Sequence, residues 1–437
     1  MNPRVLYRAA TYATDARSTA DSVISALSPA AWYLPSDVDT LWQDTGATSP
    51  VTAAWQSVAR IDDKSGNGNH LTQSTANVRP LWDGAGALNC FWATNTTSRI
   101  ARILNNATSA VTREAMSGAV VFDPMGATSA PILDLGTSQF SIVVGAGSAN
   151  ANNYLAYIFN GASFVSTTIA YRGRKNILTW RNNGTNLYIT LNGTSVSLTA
   201  LSSASMTRVI LGTFNGGNPK GARIHEAVVI SSDIGATNQA ALGSALAAAH
   251  GYAPDTTKTV MCIGDSLTAG VGSEKGIRPS DYITNRPGSL WYVIGSDGGF
   301  IYTGTAPSAA NATAMKGSSE GIYHLWLGTN DINSGARTGL QTAANLKAYS
   351  DTVRAGGGKV IVYTLQDFPN NEAERLACNA QIATDSASYD AIVDLAAITE
   401  LSDCTNTTYF TSDQVHLMDA GYALVGAAAQ AAQAAIP

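Results

Sequence analysis

Charged side chains are scarce in this 437-residue chain, only 13% of the total, and the net charge is -5. No run of Lys and Arg is long enough to leave an electrostatic footprint for a phosphate backbone or an anionic bilayer, so neither nucleic acid nor membrane is expected as a partner. Cysteine is scarce as well. Cys90, Cys262, Cys378 and Cys404 show no C-x-x-C spacing, which argues against a zinc site or a thioredoxin-like pair. Cys262 lies inside an apolar run and reads as a small core residue, while spacing leaves the pairing of Cys378 with Cys404 open. No window of about 18 apolar residues is available for a membrane span. Residues Met1 to Arg8 lack the long apolar core of a secretion signal.

Glycine, by contrast, is abundant at 40 residues, and Ser/Thr/Asn/Gly clusters recur as they do in β-rich extracellular or virion proteins. The length predicts two to three domains, with two as the simplest division. Residues 1–29 read as an arm with a short helix through Ala20 to Leu27. Between Ala31 and Trp82 the text is aromatic and turn-rich. The run from Asp62 to His70, DDKSGNGNH, holds the oxygen ligands of a calcium loop without the EF-hand spacing, and a plain Asx/Gly surface turn is the preferred reading.

From Gly118 to Ser231 strand signals come every dozen residues or so: Ala119 to Phe122, Phe140 to Val144, Tyr154 to Phe159, Asn176 to Trp180, Leu187 to Leu191, Ser195 to Leu198, Arg208 to Leu211 and Arg223 to Ile230. Asn-Gly or Gly-Gly pairs at 183–184, 192–193 and 216–217 mark hairpin turns between them. This series predicts a β-sandwich, closed by a helix from Asn238 to His250.

After a linker-like Gly251 to Lys258 the pattern changes. Short apolar strands (Val260 to Ile263, Leu290 to Ile294, Ile322 to Leu327, Lys359 to Leu365, Ala391 to Leu395) now alternate with helical stretches (Thr338 to Ala355, Asn371 to Ser386, Asp419 to Ala435). Such alternation predicts a parallel sheet with helices on both faces, over residues 258–437.

The chemistry is written at the strand ends of this second half. The run from Lys258 to Gly270, KTVMCIGDSLTAG, puts Ser266 just past a buried strand, where open α/β sheets present their ligand sites. Thr268 replaces the final glycine of a G-x-S-x-G elbow, so the α/β-hydrolase pattern is not met and a different serine-hydrolase architecture comes into consideration. A nucleophilic serine needs a base and a carboxylate to orient that base. Of the two histidines after the linker, His324 sits in the apolar run from Ile322 to Leu327 and reads as a satisfied core residue. His416 follows Asp413 by three positions, a spacing that can set the carboxylate on Nδ1 and leave Nε2 for Ser266. Gly328-Thr-Asn-Asp331 follows another strand and places the Asn330 amide level with Ser266, where it can donate to an oxyanion together with the Ser266 N–H.

Gly-Asp-Ser-Leu, Gly-Thr-Asn-Asp and Asp-Gln-Val-His-Leu, in this order, resemble the SGNH (GDSL) hydrolase family over residues 258–437. The resemblance implies a three-layer α/β/α domain that needs no metal or cofactor, with Ser266 as nucleophile, His416 as general base and acid, and Asp413 as orienter. It also implies a third oxyanion donor from a glycine in the loop after the second strand, Gly304 in preference to Gly299. Asp265 reads as a residue that fixes the loop around the nucleophile. Residues 30–253 in turn resemble the concanavalin-like (laminin-G-like) jelly rolls of phage tail and spike proteins, on the strength of the 182–194 turn–strand–turn, the 62–70 run and the closing helix. That resemblance implies glycan binding or packing in a virion. The expectation is then a serine esterase that removes O-acyl groups, acetyl above all, from a bacterial surface polysaccharide. It would act outside the cell on a virion to which residues 1–29 attach it. A vestigial hydrolase domain on a receptor-binding protein, and a lipase or thioesterase, are the rival expectations. A homo-oligomer would suit a spike, although no coiled-coil heptads support a trimer.

Overall fold

Alternation of inward and outward residues organises both halves of the chain. The computed structural model describes residues 14–90, 93–95, 98–100, 104–106, 111–112, 115–124, 130–136, 139–144, 155–170, 174–199, 205–206, 208–212, 222–252, 255–284, 289–296, 300–301 and 308–436. It divides into two units. One comprises Met1–Trp92, Ile100–Gly147 and Asn153–Ala253; the other comprises Ala93–Arg99, Ser148–Asn152 and Pro254–Pro437.

The first unit contains helix α1 (Thr14–Ala26) and then, among its strands, β1 (Ala31–Tyr33), β2 (Met116–Pro124), β3 (Ala130–Leu135), β4 (Phe140–Val144), β5 (Leu155–Phe159) and β6 (Phe164–Ala170). β7 (Asn176–Asn182), β8 (Asn186–Leu191), β9 (Thr194–Thr199), β10 (Val209–Leu211), β11 (Ala222–Ile230) and helix α2 (Gly235–Ala249) follow. One antiparallel sheet runs β9-β8-β7-β2-β11, continues through two short strands, and carries β1 on β11; the other includes β6-β5-β4-β3-β10. In β2, Val120 and Phe122 enter a core shared with Phe140 and Ile142 of the second sheet, with the Phe140 and Trp180 rings 5.4 Å apart. Ala119 and Val121 point the other way, beneath Ile24 of α1 and Leu242 and Leu246 of α2. The two sheets therefore share one core, and two helices cover the outer face of one of them. The turn at Asn192-Gly193 has positive φ at both residues (53° and 86°), the geometry that an Asn-Gly hairpin turn favours. The predicted turn at 216–217 lies outside the described residues.

Two expectations are corrected here. Residues 14–26 are not a free arm, because Ala20 and Val23 pack on Ala245 and Ala249 of α2. An ion pair fixes the same helix. Glu226 is fully buried and accepts from Arg17 Nη1 (2.7 Å), Arg17 Nη2 (3.1 Å), Trp32 Nε1 (2.8 Å) and His250 Nε2 (2.7 Å). Burial pushes its carboxyl up, but the hydrogen bond from His250 and the Arg17 charge outweigh that and hold it at about 2. Glu226→Gln should therefore destabilise the first unit by about 3–5 kcal/mol, since the desolvated Arg17 then keeps only the more exposed Asp21 carboxylate as counter-charge. The loss would be read as a lower melting temperature by calorimetry, and an unchanged value would refute it.

Second, the linker expected over 251–258 is shorter, because strand β12 begins at Asp255 and runs to Asp265; the β-branched Thr256, Thr257 and Thr259 extend it backwards. The 62–70 run is a turn, as expected. Asp63 accepts from the backbone of Trp32, Ser65 and Asn69 and from the Ser65 hydroxyl, and Asp62 accepts from Arg60 Nε and Trp42 Nε1. These carboxylates serve the chain itself.

The second unit is built on β12, β13 (Ser289–Ser296), β14 (Glu320–Trp326), β15 (Lys359–Tyr363) and β16 (Ala391–Val393), in the spatial order β13-β12-β14-β15-β16. All neighbours are parallel. Helices α3 (Ala309–Lys316), α4 (Thr329–Asn333), α5 (Gly339–Ala355), α6 (Glu372–Thr384) and α7 (Asp419–Ala434) connect or flank the strands. Val260, Cys262, Ile322, Ile361 and Tyr363 lie on one face, in a core with Tyr422, Val425 and Ala429 of α7. Met261, Ile263, Tyr323, Leu325, Val360 and Val362 fill the other, with residues of α3, α5 and α6. This is the predicted mixed α/β architecture with both faces covered. Cys378 and Cys404 are both free and buried. Among the described residues no helix is long and apolar enough to cross a membrane.

Candidate active site

Two close approaches shape the rim of the parallel sheet. A Cβ on Gly264 would sit 1.8 Å from Thr268 Oγ1 and 2.5 Å from the Trp326 carbonyl oxygen, so only glycine lets the end of β12 approach β14 and the Thr268 side chain this closely. Gly328 ends the next crossing with φ at 117°, a value that glycine alone adopts at low cost. Gly264 pairs with Trp326 across the parallel register. The residues just past each strand, Ser266 and the start of α4, therefore emerge side by side at the carboxyl edge.

The histidine arrives from the far end of the sequence. Phe410 and Leu417 form a bridge that closes a tight loop, in which Thr411 N–H donates to the His416 carbonyl (2.8 Å) and Gln414 adopts φ of 62°. Asp413 organises that loop: its Oδ1 accepts from Thr411 Oγ1 (2.6 Å), Val415 N–H (2.9 Å) and His416 N–H (3.0 Å). Its Oδ2 accepts from His416 Nδ1 at 2.7 Å, and His416 Nε2 lies 2.8 Å from Ser266 Oγ. The carboxylate thus fixes the tautomer that leaves Nε2 able to take the serine proton. Although burial works against it, the hydrogen bond and charge of His416 hold the Asp413 carboxyl well below the usual range. Ser266 itself is 4% exposed.

On the other side of the serine, Asn330 Nδ2 lies 3.4 Å from Asp265 Oδ2, while Asp265 Oδ1 accepts from Leu267 N–H (2.9 Å). Asp265 is 1% exposed, and burial, reinforced by the Asp331 charge, pushes its carboxyl up to about 7 against the opposing pull of the Leu267 N–H and His416. A carboxyl raised in this way keeps its proton in the fold between 3.8, its ordinary value, and about 7. The unfolded chain has released that proton by then, so stability falls as pH rises through this window and is not regained above it. Asp265→Asn removes the penalty. It should raise the melting temperature more at pH 8 than at pH 4, and equal shifts at the two pH values would contradict the assignment.

The structure therefore brings Ser266, Asp413, His416, Asn330 and Asp265 to one rim. Gly304 and Gly299 lie outside the described residues. His324 is far from this chemistry in role: it is 2% exposed and its ring nitrogens bond Tyr363 Oη and Gln433 Oε1, both at 2.8 Å. Three supporting residues escaped the sequence reading. Thr411 holds Asp413, and its T-x-D spacing was a readable sign of a side-chain-closed turn. Gly272 packs beneath the histidine loop, where a Cβ would meet the Leu417 carbonyl at 2.6 Å and His416 Cβ at 3.0 Å. Asp331 accepts from Ile301 N–H (3.1 Å) and so pins the segment after β13 beside α4.

Residues 262–424 match the model of the GDSL-like Lipase/Acylhydrolase family. The second unit carries a GDSL-like acylhydrolase domain. A search of the curated proteins gave no match. Among solved structures, a lipolytic G-D-S-L family protein from Veillonella parvula DSM 2008 is 19% identical, over 39% of this chain and 96% of its own, with a TM-score of 0.32. A carbohydrate esterase family 3 protein from Talaromyces cellulolyticus is 18% identical over 40% and 94%, with a TM-score of 0.30. A GH54 α-L-arabinofuranosidase is 16% identical over 52% of this chain and 64% of that one, with a TM-score of 0.35. Likenesses this faint carry no weight on substrate. In the GDSL-like domain the matched stretch includes Ser266, Asn330, Asp413 and His416.

Proposed function

We propose that this chain is a serine esterase that removes short O-acyl groups, acetyl above all, from a bacterial surface polysaccharide. The observation that carries this reading is the unbroken hydrogen-bonded series from Asp413 through His416 to Ser266. In the first half-reaction Ser266 Oγ attacks the acyl carbonyl while His416 Nε2 takes its proton. The developing oxyanion is met by the Ser266 N–H and the Asn330 amide, a type of donation worth about 2.7–4 kcal/mol per donor in the transition state. The bond to the sugar oxygen then breaks, His416 returns the proton to that leaving alkoxide, and the acyl group stays on Ser266. Water, deprotonated by the same imidazole, attacks the acyl-enzyme and releases the carboxylic acid and free serine.

A short acyl group is favoured because the sequence offers no apolar lid for a long chain. The polysaccharide is favoured by the resemblance of the first unit to concanavalin-like jelly rolls of phage tails and spikes. In that setting the protein acts extracellularly on a virion and meets other virion proteins through its N-terminal region. A chain-length series of p-nitrophenyl esters tests the acyl preference. kcat/KM should fall from acetate to butyrate to octanoate, and a rise along that series would replace the reading with a lipase or thioesterase. Incubation with an acetylated capsule should release acetate; binding without release would leave an adhesin.

A further inference from the structure

In the first unit, α2 packs over β7 and β2 and leaves the outer face of β8 beside it uncovered. A groove of about 570 Å³ results, within the range of small-molecule sites. Strand alternation decides what lines it: Leu187, Ile189 and Leu191 point into the core, so Tyr188 and Thr190 face outward, as do Arg181 of β7 and Ser195 of β9. On the helix side the groove meets Gln239 and Ser244.

The chemistry of this lining selects one class of occupant. Arg181 is its only charged residue, and that charge is already matched by Asp233, 3.4 Å away, so an anion gains little there. The Arg181 guanidinium stacks 3.8 Å over the Tyr188 ring, which makes a flat, rigid wall that loses little rotamer freedom on binding. The lining is mostly apolar, but Thr190, Ser195, Gln239 and Ser244 set hydroxyls and an amide into it that a lipid chain would bury without partners, and the floor is the face of the sheet, not its edge, so no backbone ladder is offered to a peptide.

Polar capacity in the groove is also unspent. Gln239 is 6% exposed; its Nε2 makes only long bonds to Thr179 O (3.4 Å), Thr179 Oγ1 (3.3 Å) and Tyr188 O (3.5 Å), and its Oε1 accepts none from the described residues. Arg181 Nε is buried with no partner. Groups so placed cost stability unless a ligand or solvent satisfies them.

We propose that this groove binds a short stretch of uncharged saccharide, with sugar C–H faces against Tyr188 and sugar hydroxyls bonded to Gln239 Oε1, Ser244 and the Thr190–Ser195 hydroxyl pair, themselves 2.8 Å apart. The site is independent of the esterase reading and would stand if Ser266 were inert.

Saturation-transfer NMR on the full chain tests it, with maltotriose, xylotriose and N,N′,N″-triacetylchitotriose as neutral probes and trigalacturonate as the charged control. At least one neutral trisaccharide should bind, roughly tenfold more weakly to Tyr188→Ala and Gln239→Leu, a tenfold change being about 1.4 kcal/mol. It should not bind Ser244→Trp, whose added bulk at an exposed position fills the groove without touching the core. Hydrolysis of p-nitrophenyl acetate should stay within about twofold in all three variants, which separates failure here from failure of the esterase. No transfer from any neutral probe, binding that survives Ser244→Trp, or equal binding of trigalacturonate would each overturn the proposal.

Discussion

Ser266→Ala should lower kcat for p-nitrophenyl acetate by on the order of 10⁵–10⁶-fold, the scale on which a serine nucleophile stands apart from the binding and oxyanion groups around it. The loss falls on kcat because the hydroxyl makes its bond only in the transition state. KM should change little, since the Ser266 and Asn330 donors that meet the carbonyl remain. The melting temperature should hold to within a few degrees, because the substitution removes one oxygen from a loop whose turn is set by Gly264 and by the Asp265 bond to Leu267 N–H. A variant that keeps turnover while keeping its fold would end the esterase proposal; one that unfolds would instead show that Oγ supports the loop. Titration of the variant with a slow acyl ester adds a second readout. The wild type should release a stoichiometric burst of nitrophenol as acyl-Ser266 accumulates, and the variant none.

How much of this was legible beforehand differs by element, and the reason is physical. Most strands of the first unit could be read because apolar, β-branched and aromatic runs are bounded by turn residues: Phe140 to Val144 was placed to the residue, and the Asn192-Gly193 turn demanded the positive φ that it shows, whereas Ala130–Leu135 and Phe164–Ala170 were not singled out. The docking of α1 was not legible. It depends on Arg17 meeting Glu226 across more than two hundred positions, and nothing local to either residue announces a partner. In the second unit the apolar strands and the order Ser, Asn, Asp, His were enough to gather the site at one rim, because parallel βα units force successive strand ends to the same edge. The shape of the histidine loop was not. The three-residue spacing showed that Asp413 can reach His416 but not how: the structure uses a bridge-closed loop with Gln414 in the left-handed region, stabilised by the Asp413 carboxylate accepting backbone N–H groups. That arrangement leaves no hydrophobic period to read.

Asp413→Asn isolates what the carboxylate does beyond holding this loop. An asparagine Oδ1 can still accept from Thr411 Oγ1, Val415 N–H and His416 N–H, so the backbone geometry should survive. Its amide nitrogen, however, would face His416 Nδ1 as a donor, which drives the imidazole to carry its proton on Nε2. In that tautomer the ring cannot accept from Ser266 Oγ, and the imidazolium that forms on attack has lost its counter-charge. kcat should drop about 10⁴-fold with KM nearly unchanged. Acid stability supplies an independent check with a definite sign. The wild-type carboxyl is held below its ordinary value of 3.8, so it contributes stability that is fully present above that pH and is lost as pH falls toward the lower folded-state value. The stability gap between wild type and Asp413→Asn should therefore be widest near neutrality and narrow below about pH 4. A gap that is constant with pH would mean that Asp413 is neutral in the folded protein. In that case its bond to His416 would not be the charge-assisted contact on which the activation of Ser266 depends.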